Sequence, residues 1–421
     1  MHDNTKKLLI IGAGTEQISV IKEAKKMGHY VIVTDFNPQA PGIPFADQFE
    51  LVSTTDGPGN VAIGKKENID GVLTVCSETA VPTVAFVAEA LNLPSFSQKT
   101  ALLATNKSEM RKALVAHNVR VSSYIIASEF EACTHYFENN QGPWVIKPVD
   151  SSGQRGTSIV FERSELARAF QLAIENSYTG EALVDQFVTG PEVHVTMHVI
   201  NGAVHYLAIT DRVTLDKDNF GIAIRHVGPA LLSEKVTADI KIQCERGIEA
   251  IELKNGIVTC EIILKEDIPF VMELAVRVPG GYLREVASIL SGVNIDKTTI
   301  WTSLGENKPF TEIVTESIYP AISVKFLTAS NLDSSIKTIA QPPNCKDLFT
   351  DDIRLINFHF DSNFKVPDLN SSVARFGAII ATGNSQKEAI YASEKVFESI
   401  TISGKHLTDY SNYNSYNKDF K

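Results

Sequence analysis

Apolar and polar positions alternate along this chain with two periods, and the dominant period changes with position. "KLLIIGAG" is a continuous apolar run closed by glycines, as expected of a strand buried on both faces of a parallel sheet. "EQISVIKEAKKMGH" switches to helical spacing, with Ile18, Ile21 and Ala24 on one face and Gly28 as the stop. "YVIVTD" and "IDGVLTV" are further predicted strands, and "TAVPTVAFVAEALN" a further helix. Strands alternating with helices predict a doubly wound α/β unit over residues 1–103.

Near residue 104 the pattern changes. "TNKSEMRKALVAHN" predicts a helix, with Asn106 and Glu109 placed as a capping box. Paired strands are then expected: "WVIKPV" with "TSIVF", "ALVDQFV" with "EVHVTMHVI", and "VHYLAITDRV". A helix over "TADIKIQCERGIEAIEL" precedes a predicted β-hairpin, "IVTCEIILKEDIPFVMELAV". This second unit spans 104–310. A third, small α+β unit over 311–405 ends in "GAIIATG" and the helix "SQKEAIYASEKVFESI". Residues 406–421 are polar and aperiodic, so poor order is expected there.

The 421 residues suffice for several compact units, and 43% apolar residues can bury large cores. The net charge of −11 argues against a general nucleic-acid binder, which needs a basic surface, but not against a nucleotide site. Cys76, Cys133, Cys244, Cys260 and Cys345 are odd in number and match no metal spacing, which suits reduced thiols. The apolar run at the N-terminus is too short for a signal-peptide core, and no run reaches the length of a membrane span. A soluble, cytoplasmic protein is expected, with no nucleic-acid or membrane partner.

Two glycine-rich matches are discounted. "GAG" is half of a dinucleotide fingerprint whose third glycine position holds Gln17, although Asp35 does end the second strand. "GNVAIGKK" fits a phosphate-loop pattern but ends in Lys66 where Ser or Thr is needed, and it precedes a strand instead of following one.

Three stretches carry candidate chemistry. In "WVIKPVDSSGQRGTS" the alternation puts Val145, Lys147 and Val149 on one face, and a lysine on an apolar face needs an anion. The loop that follows is either a mobile hairpin turn or a small-residue cradle for phosphate oxygens. In "LVDQFVTGPEVHV", Asp185 and Glu192 flank an extended segment that could offer backbone groups to a base and a carboxylate to a ribose; an ordinary hairpin is the alternative. In the last hairpin, a turn centred on Asp267 would set Glu261 directly opposite Glu273, on a face shared with Thr259, Ile263, Val271 and Ala275. Facing carboxylates repel unless a cation lies between them, and oxygen-only ligands suit Mg²⁺. A turn half a residue off centre would separate the two. Arg277 follows near the same end of the hairpin, placed to meet a phosphoryl group.

In this order, these motifs resemble the ATP-grasp superfamily over nearly the full chain. "NKSEM", "VIKPVDSSGQRG", "DQFVTGPE" and "CEIIL…FVMELAVRVPGG" carry the resemblance, which is most like the carboxylate–amine ligases, including bacterial L-amino-acid ligases. It implies a pre-ATP-grasp domain (1–103), an ATP-grasp domain (104–310) with a mobile lid at about 120–186, and a C-terminal α+β domain (311–405). It implies ATP with Mg²⁺, or Mn²⁺ in its place, and small carboxylate and amine substrates in a homodimeric enzyme. The nucleotide would be held by Lys107, Lys147, Ser151, Ser152, Gly156, Thr157, Asp185, Gln186, Phe187, Val188 and Glu192. Glu261 and Glu273 would hold the metal, and Lys147, Gly153, Arg155 and Arg277 would serve catalysis. Arg277 would also meet substrate.

Further substrate contacts are expected at Glu78, His226, Gly280 and Gly281. Each has a plainer alternative: a helix-capping acid, a structural histidine, a chain turn. One departure stands out, since Ala275 occupies the place where the family usually has an asparagine ligand. A carboxylase or purine-pathway enzyme, or a nucleotide-binding module without catalysis, are the competing functions.

Overall fold

The computed structural model describes residues 5–151, 155–215, 221–314, 318–369 and 372–409. Residues 410–421 of the polar tail lie outside these, as do Ser152 and Gly153 of the expected lid.

The N-terminal unit is a parallel sheet of Lys7–Ile11, Tyr30–Thr34, Gln48–Glu50 and Gly71–Leu73, with the first strand between the second and fourth. Its first strand is apolar on both faces because each face meets its own core. Leu8 and Ile10 pack with Val20, Ile21 and Ala24 of the helix Ile18–Lys26. Leu9 and Ile11 pack with Val84, Val87 and Ala88 of the helix Val81–Leu91. Gly28 ends the first helix with φ +86, as its placement predicted. "GNVAIGKK" lies inside the helix Gly57–Glu67, so its backbone amides are helical and cannot form a phosphate loop. At the "GAG" turn, Gln17 is buried and donates to Val75 O at 2.5 Å, and Asp35 accepts the Ala13 N–H at 2.9 Å.

A second sheet is antiparallel, in the spatial order Tyr124–Ala127, Ala182–Gln186, Trp144–Pro148, Ser158–Val160. The helices Phe130–Asn139 and Arg163–Glu175 cover it, with Trp144, Ile146, Leu166 and Phe170 in the shared core. The expected pairing of "ALVDQFV" with "EVHVTMHVI" is therefore a correction. Ala182–Gln186 pairs with Tyr124–Ala127 and Trp144–Pro148 instead. The segment between the two strands is a crossing from one sheet to another and not a hairpin.

The third sheet has eight strands. From one edge it runs Ile268–Ala275, Gly256–Lys265, Glu192–Ile200, Ala203–Thr214, Ala223–Gly228, Ala321–Leu327, Gly377–Gly383, Ile353–Phe358. It is continuous across residue 311, because Arg225–Gly228 pairs with Ile322–Lys325. The helix Glu234–Ala250 buries Val236, Ile240, Cys244 and Ile248 against Val195, Met197, Val258 and Cys260.

The hairpin at its edge differs from the expected one in a useful way. Lys265 pairs with Ile268, so the turn is Glu266-Asp267, both with positive φ (52° and 63°), the geometry that matches strand twist in two-residue hairpins. The turn is thus centred half a residue before Asp267. That register would separate the two glutamates, but a bulge at Met272 shifts it. Ile262 pairs with Val271, Met272 is extra, and Glu261 pairs with Glu273. Val271 is consequently on the core face, fully buried, and not on the face shared with the carboxylates.

Candidate active site

One cavity of about 500 Å³ lies between the three sheets. Of the expected site residues within the described ones, Glu78, Lys107, Lys147, Ser151, Arg155, Thr157, Asp185, Gln186, Phe187, Val188, Glu192, His226, Glu261, Glu273, Arg277, Gly280 and Gly281 line it. Gly156 does not. A Cβ there would meet Asn176 and the Pro148 ring at 2.8 Å, so this glycine allows close packing beneath the loop.

Lys107 and Lys147 come from different elements. Lys107 opens the helix Lys107–Ala116, which Asn106 caps by accepting the Glu109 N–H at 3.0 Å. Its Nζ donates to Ser151 O at 3.0 Å and lies 3.7 Å from Glu273. Lys147 is set on the cavity face of Trp144–Pro148 by strand alternation. Burial lowers its pKa, against the opposing pull of Asp185, whose Oδ2 is 3.6 Å away.

Asp185 is itself already engaged. Arg111, 1% exposed, donates to Asp185 Oδ2 at 2.7 Å and to Val271 O at 2.9 Å, and Ser122 Oγ donates to Asp185 Oδ1. The Asp185 carboxylate therefore positions Lys147 and joins the two sheets. Arg111 was missed from sequence because "KSEMRKALVA" reads as a solvated helix face.

The crossing segment offers fewer free amides than its extended form suggests. Gln186 N–H is taken by Ser123 O at 2.8 Å and Phe187 N–H by Pro143 O at 2.9 Å. Val188 is the one of the three with no such bond among the described residues. Gly190 seats the segment on the hairpin, where a Cβ would lie 1.9 Å from Leu264 O. The carboxylate of Glu192 accepts from Arg212, with Thr214 Oγ1 at 3.2 Å.

At the other end, Arg277 Nε donates to Glu78 Oε2 at 2.6 Å. Burial, with Glu273 adding to it, raises the Glu78 pKa despite the Arg277 charge. Glu78 thus neither caps a long helix nor stands free. It starts a short 3-10 turn after the strand Gly71–Leu73, at the carboxyl edge where open α/β sheets bind ligands, and its carboxylate orients Arg277. Glu261 is about half exposed, into the cavity; desolvation at the cavity wall would raise its pKa, but His194, Arg212, Arg277 and Lys147 outweigh this and hold it lower.

His226 and His194 pack ring to ring at 5.7 Å, both buried and both held far toward the neutral form, His194 at about 4. Gly281 adopts φ +62 beside Arg375, and Gly280 makes only ordinary contact with Cys76. Arg375, unassigned from sequence, lines the same cavity; it stacks 4.1 Å from the Phe326 ring and donates to Ser372 O at 2.9 Å. It forms no ion pair with any described residue, and burial lowers its pKa to about 10. A guanidinium so placed suits an anionic ligand.

Residues 140–284 match the family model described as ATP-grasp domain, and residues 8–110 match that described as PylC-like, N-terminal domain. The chain carries an ATP-grasp domain. The solved L-amino acid ligase from Bacillus licheniformis superposes with a TM-score of 0.79 at 19% identity, over 96% of this chain and 99% of that one. Phosphoribosylglycinamide synthetase from Anaerococcus prevotii does so with 0.78 at 21%, over 96% and 100%. These likenesses establish the ATP-grasp fold. A curated formate-dependent phosphoribosylglycinamide formyltransferase from Prochlorococcus marinus is 29% identical over 186 residues, 44% of this chain and 48% of that protein. The chain spans about half the length of the curated relatives it matches. No helix among the described residues is long and apolar enough to cross a membrane.

Proposed function

We propose that this chain is an ATP-dependent ligase that joins a carboxylate to an amine, with release of ADP and phosphate. A substrate carboxylate oxygen forms a bond to the γ-phosphorus as the bond to ADP breaks. The amine nitrogen then bonds to the acyl carbon, phosphate leaves, and the amine gives up a proton. The observation that carries this reading is the convergence of two lysines, two facing glutamates, Arg277 and Arg375, which has no ion pair among the described residues, on one cavity.

The donor set fits a nucleotide with a divalent cation. Lys147 is a buried ammonium whose nearest anion, Asp185, is shared with Arg111, so phosphate oxygens would complete its neutralisation. Glu261 and Glu273 are directly opposed on the cavity face, where like charges need a cation. Bound there, Mg²⁺ or Mn²⁺ would neutralise charge on the phosphates and on the departing ADP. Lys107 and Lys147 hold the phosphates, and Val188 and Glu192 face the base and ribose. Arg277, aimed by Glu78, stabilises the transferring phosphoryl group and then the oxyanion at the acyl carbon. Arg375 holds the substrate carboxylate, and Arg155 closes the loop over the site, excluding water from the acyl phosphate. A homodimer belongs to the same reading and is checked by light scattering.

The test is Glu273→Ala, with ADP release followed in Mg-ATP across pairs of amino acids and small acids and products read by mass. Activity near that of the parent would overturn the assignment. The name of the curated relatives favours one second reading, in which the acid is formate and the amine is that of phosphoribosylglycinamide; bicarbonate as the acid is the carboxylase form of this alternative. Formate- or bicarbonate-dependent phosphate release, without release on any amino-acid pair, would select it. ATP binding with no ADP formed on any mixture would instead indicate a binding module.

A further inference from the structure

Three side chains stand in one row across adjacent strands at the edge of the large sheet. Glu261 pairs with Glu273 on one side and with His194 on the other. Directly opposed residues project from the same face, so the imidazole and the two carboxylates share a side, and all three line the cavity. His194 Nε2 lies 3.8 Å from Glu261 Oε1.

His194 is 7% exposed, and neither ring nitrogen has a hydrogen-bond partner among the described residues. A neutral imidazole has one donor and one acceptor, and leaving both unmade in a buried place calls for a ligand. The next row is Thr196, Thr259 and Ala275. Thr259 Oγ1 is also buried without a partner, and Ala275 supplies no donor atom at all. Ala275 thus borders the unsatisfied Thr259, while His194 stands two strands away on the same face, on the other side of Glu261.

We propose that His194, in one row with Glu261 and Glu273, is a third protein ligand of the divalent cation, biasing the centre from Mg²⁺ toward first-row transition-metal ions. This rests on the reading that Glu261 and Glu273 hold the cation. Oxygen-only sites suit Mg²⁺, whereas imidazole favours softer dications. Among the described residues no three such side chains already converge on one point. The row would therefore converge on the cation only with phosphate oxygens completing its shell, which is the usual way nucleotide-bound dications are held.

The experiment is pulsed electron paramagnetic resonance on the full chain with Mn²⁺ and ADP. The expected signal is nitrogen-14 modulation from a directly bound imidazole, replaced by the nitrogen-15 pattern when histidine is isotopically labelled. His194→Ala should abolish the modulation and His226→Ala should retain it. Mn²⁺ affinity in His194→Ala should fall roughly tenfold or more, since loss of even an outer-shell partner of a metal costs 10–100-fold. The labelling needs no variant, so it shows whether a histidine binds the ion even if His194→Ala fails to fold, and loss of the modulation in His226→Ala would then assign it to the other ring of the pair and overturn the inference. Bound Mn²⁺ without nitrogen modulation, or modulation that persists in His194→Ala, overturns the inference while leaving the two-glutamate site standing. Mn²⁺ binding that Glu273→Ala does not weaken overturns both.

Discussion

Asp185→Asn gives the sharpest test of how the site is held. The change is isosteric, and an asparagine can keep the geometry: its oxygen accepts from Arg111 and its amide donates to Ser122 Oγ. What it removes is, among the described residues, the one carboxylate within ion-pair reach of two buried cations, Arg111 at 2.7 Å and Lys147 at 3.6 Å. Arg111 and Asp185 side chains are 2% and 4% exposed, so solvent cannot substitute for the lost charge. Breaking a buried pair by removing one partner costs about 3–5 kcal/mol, and retained neutral hydrogen bonds should recover part, leaving about 2–4 kcal/mol. Urea unfolding followed by Trp144 fluorescence reads this directly, because Trp144 pairs with Gln186, the neighbour of Asp185. The variant also has a pH signature. Burial already lowers the Lys147 pKa, and Asp185 opposes that shift. Without Asp185 the pKa falls further, so Lys147 loses its proton at lower pH than in the parent. The KM for ATP should therefore begin to rise at lower pH on the alkaline side. Arg111→Met combined with Asp185→Leu should recover only part of the loss, since apolar replacement of a buried pair is often neutral but Lys147 still lacks its carboxylate. Stability within about 1 kcal/mol of the parent, together with an unchanged pH profile for KM, would refute the claim that this pair anchors Lys147.

Gly190→Ala should destabilise by about 1–3 kcal/mol through overpacking, since the new Cβ would lie 1.9 Å from Leu264 O; calorimetry checks it. Glu78→Gln keeps the hydrogen bond to Arg277 but not its charge, so kcat should drop about tenfold, the roughly 1–1.5 kcal/mol between charge-assisted and neutral bonds. Because the Glu78 pKa is raised, the parent should lose activity on acidification at higher pH than an ordinary glutamate would dictate, and Glu78→Gln should lack that limb. Arg155→Ala should raise ATP hydrolysis relative to product formed, and an unchanged ratio of ADP to product would remove the lid role.

Sequence periodicity located the elements, but several determinants of the site are tertiary. The two-faced apolar run of Leu8–Ile11 is visible because both cores act on one local pattern. Arg111 is invisible because its burial depends on Asp185, 74 positions away. His194 sits in a strand that alternates polar and apolar residues, "EVHVTMHVI", and only the cross-strand register exposes its relation to Glu261. Arg375 becomes a candidate only when the strand Gly377–Gly383 is seen joined to the sheet that carries His226.

The hairpin shows the limit most clearly, and it yields a last prediction. The opposition of Glu261 and Glu273 follows from two local features that offset each other, a turn half a residue early and one extra residue at Met272. Removing Met272 should therefore leave the essential pairing intact. Val271 would stay opposite Ile262, Glu273 would follow directly opposite Glu261, and Leu274 would return to the core beside Cys260. Strand alternation, which now fails between Met272 and Glu273, would become regular through this stretch. The deletion should thus fold with a melting temperature close to the parent and still bind Mn²⁺ at the glutamates, while ATP affinity falls because Met272 leaves the cavity lining. Deleting Val271 is the matched control. It removes the core residue and leaves Met272 to enter the core in its place, with Glu273 still facing the cavity. Loss of about 1–2 kcal/mol is expected there, since a Val-to-Met exchange in a packed core overfills it. If removal of Met272 instead abolishes Mn²⁺ binding in a folded protein, the bulge is itself part of the metal-binding geometry, and the account of Glu273 as placed by cross-strand pairing with Glu261 is wrong.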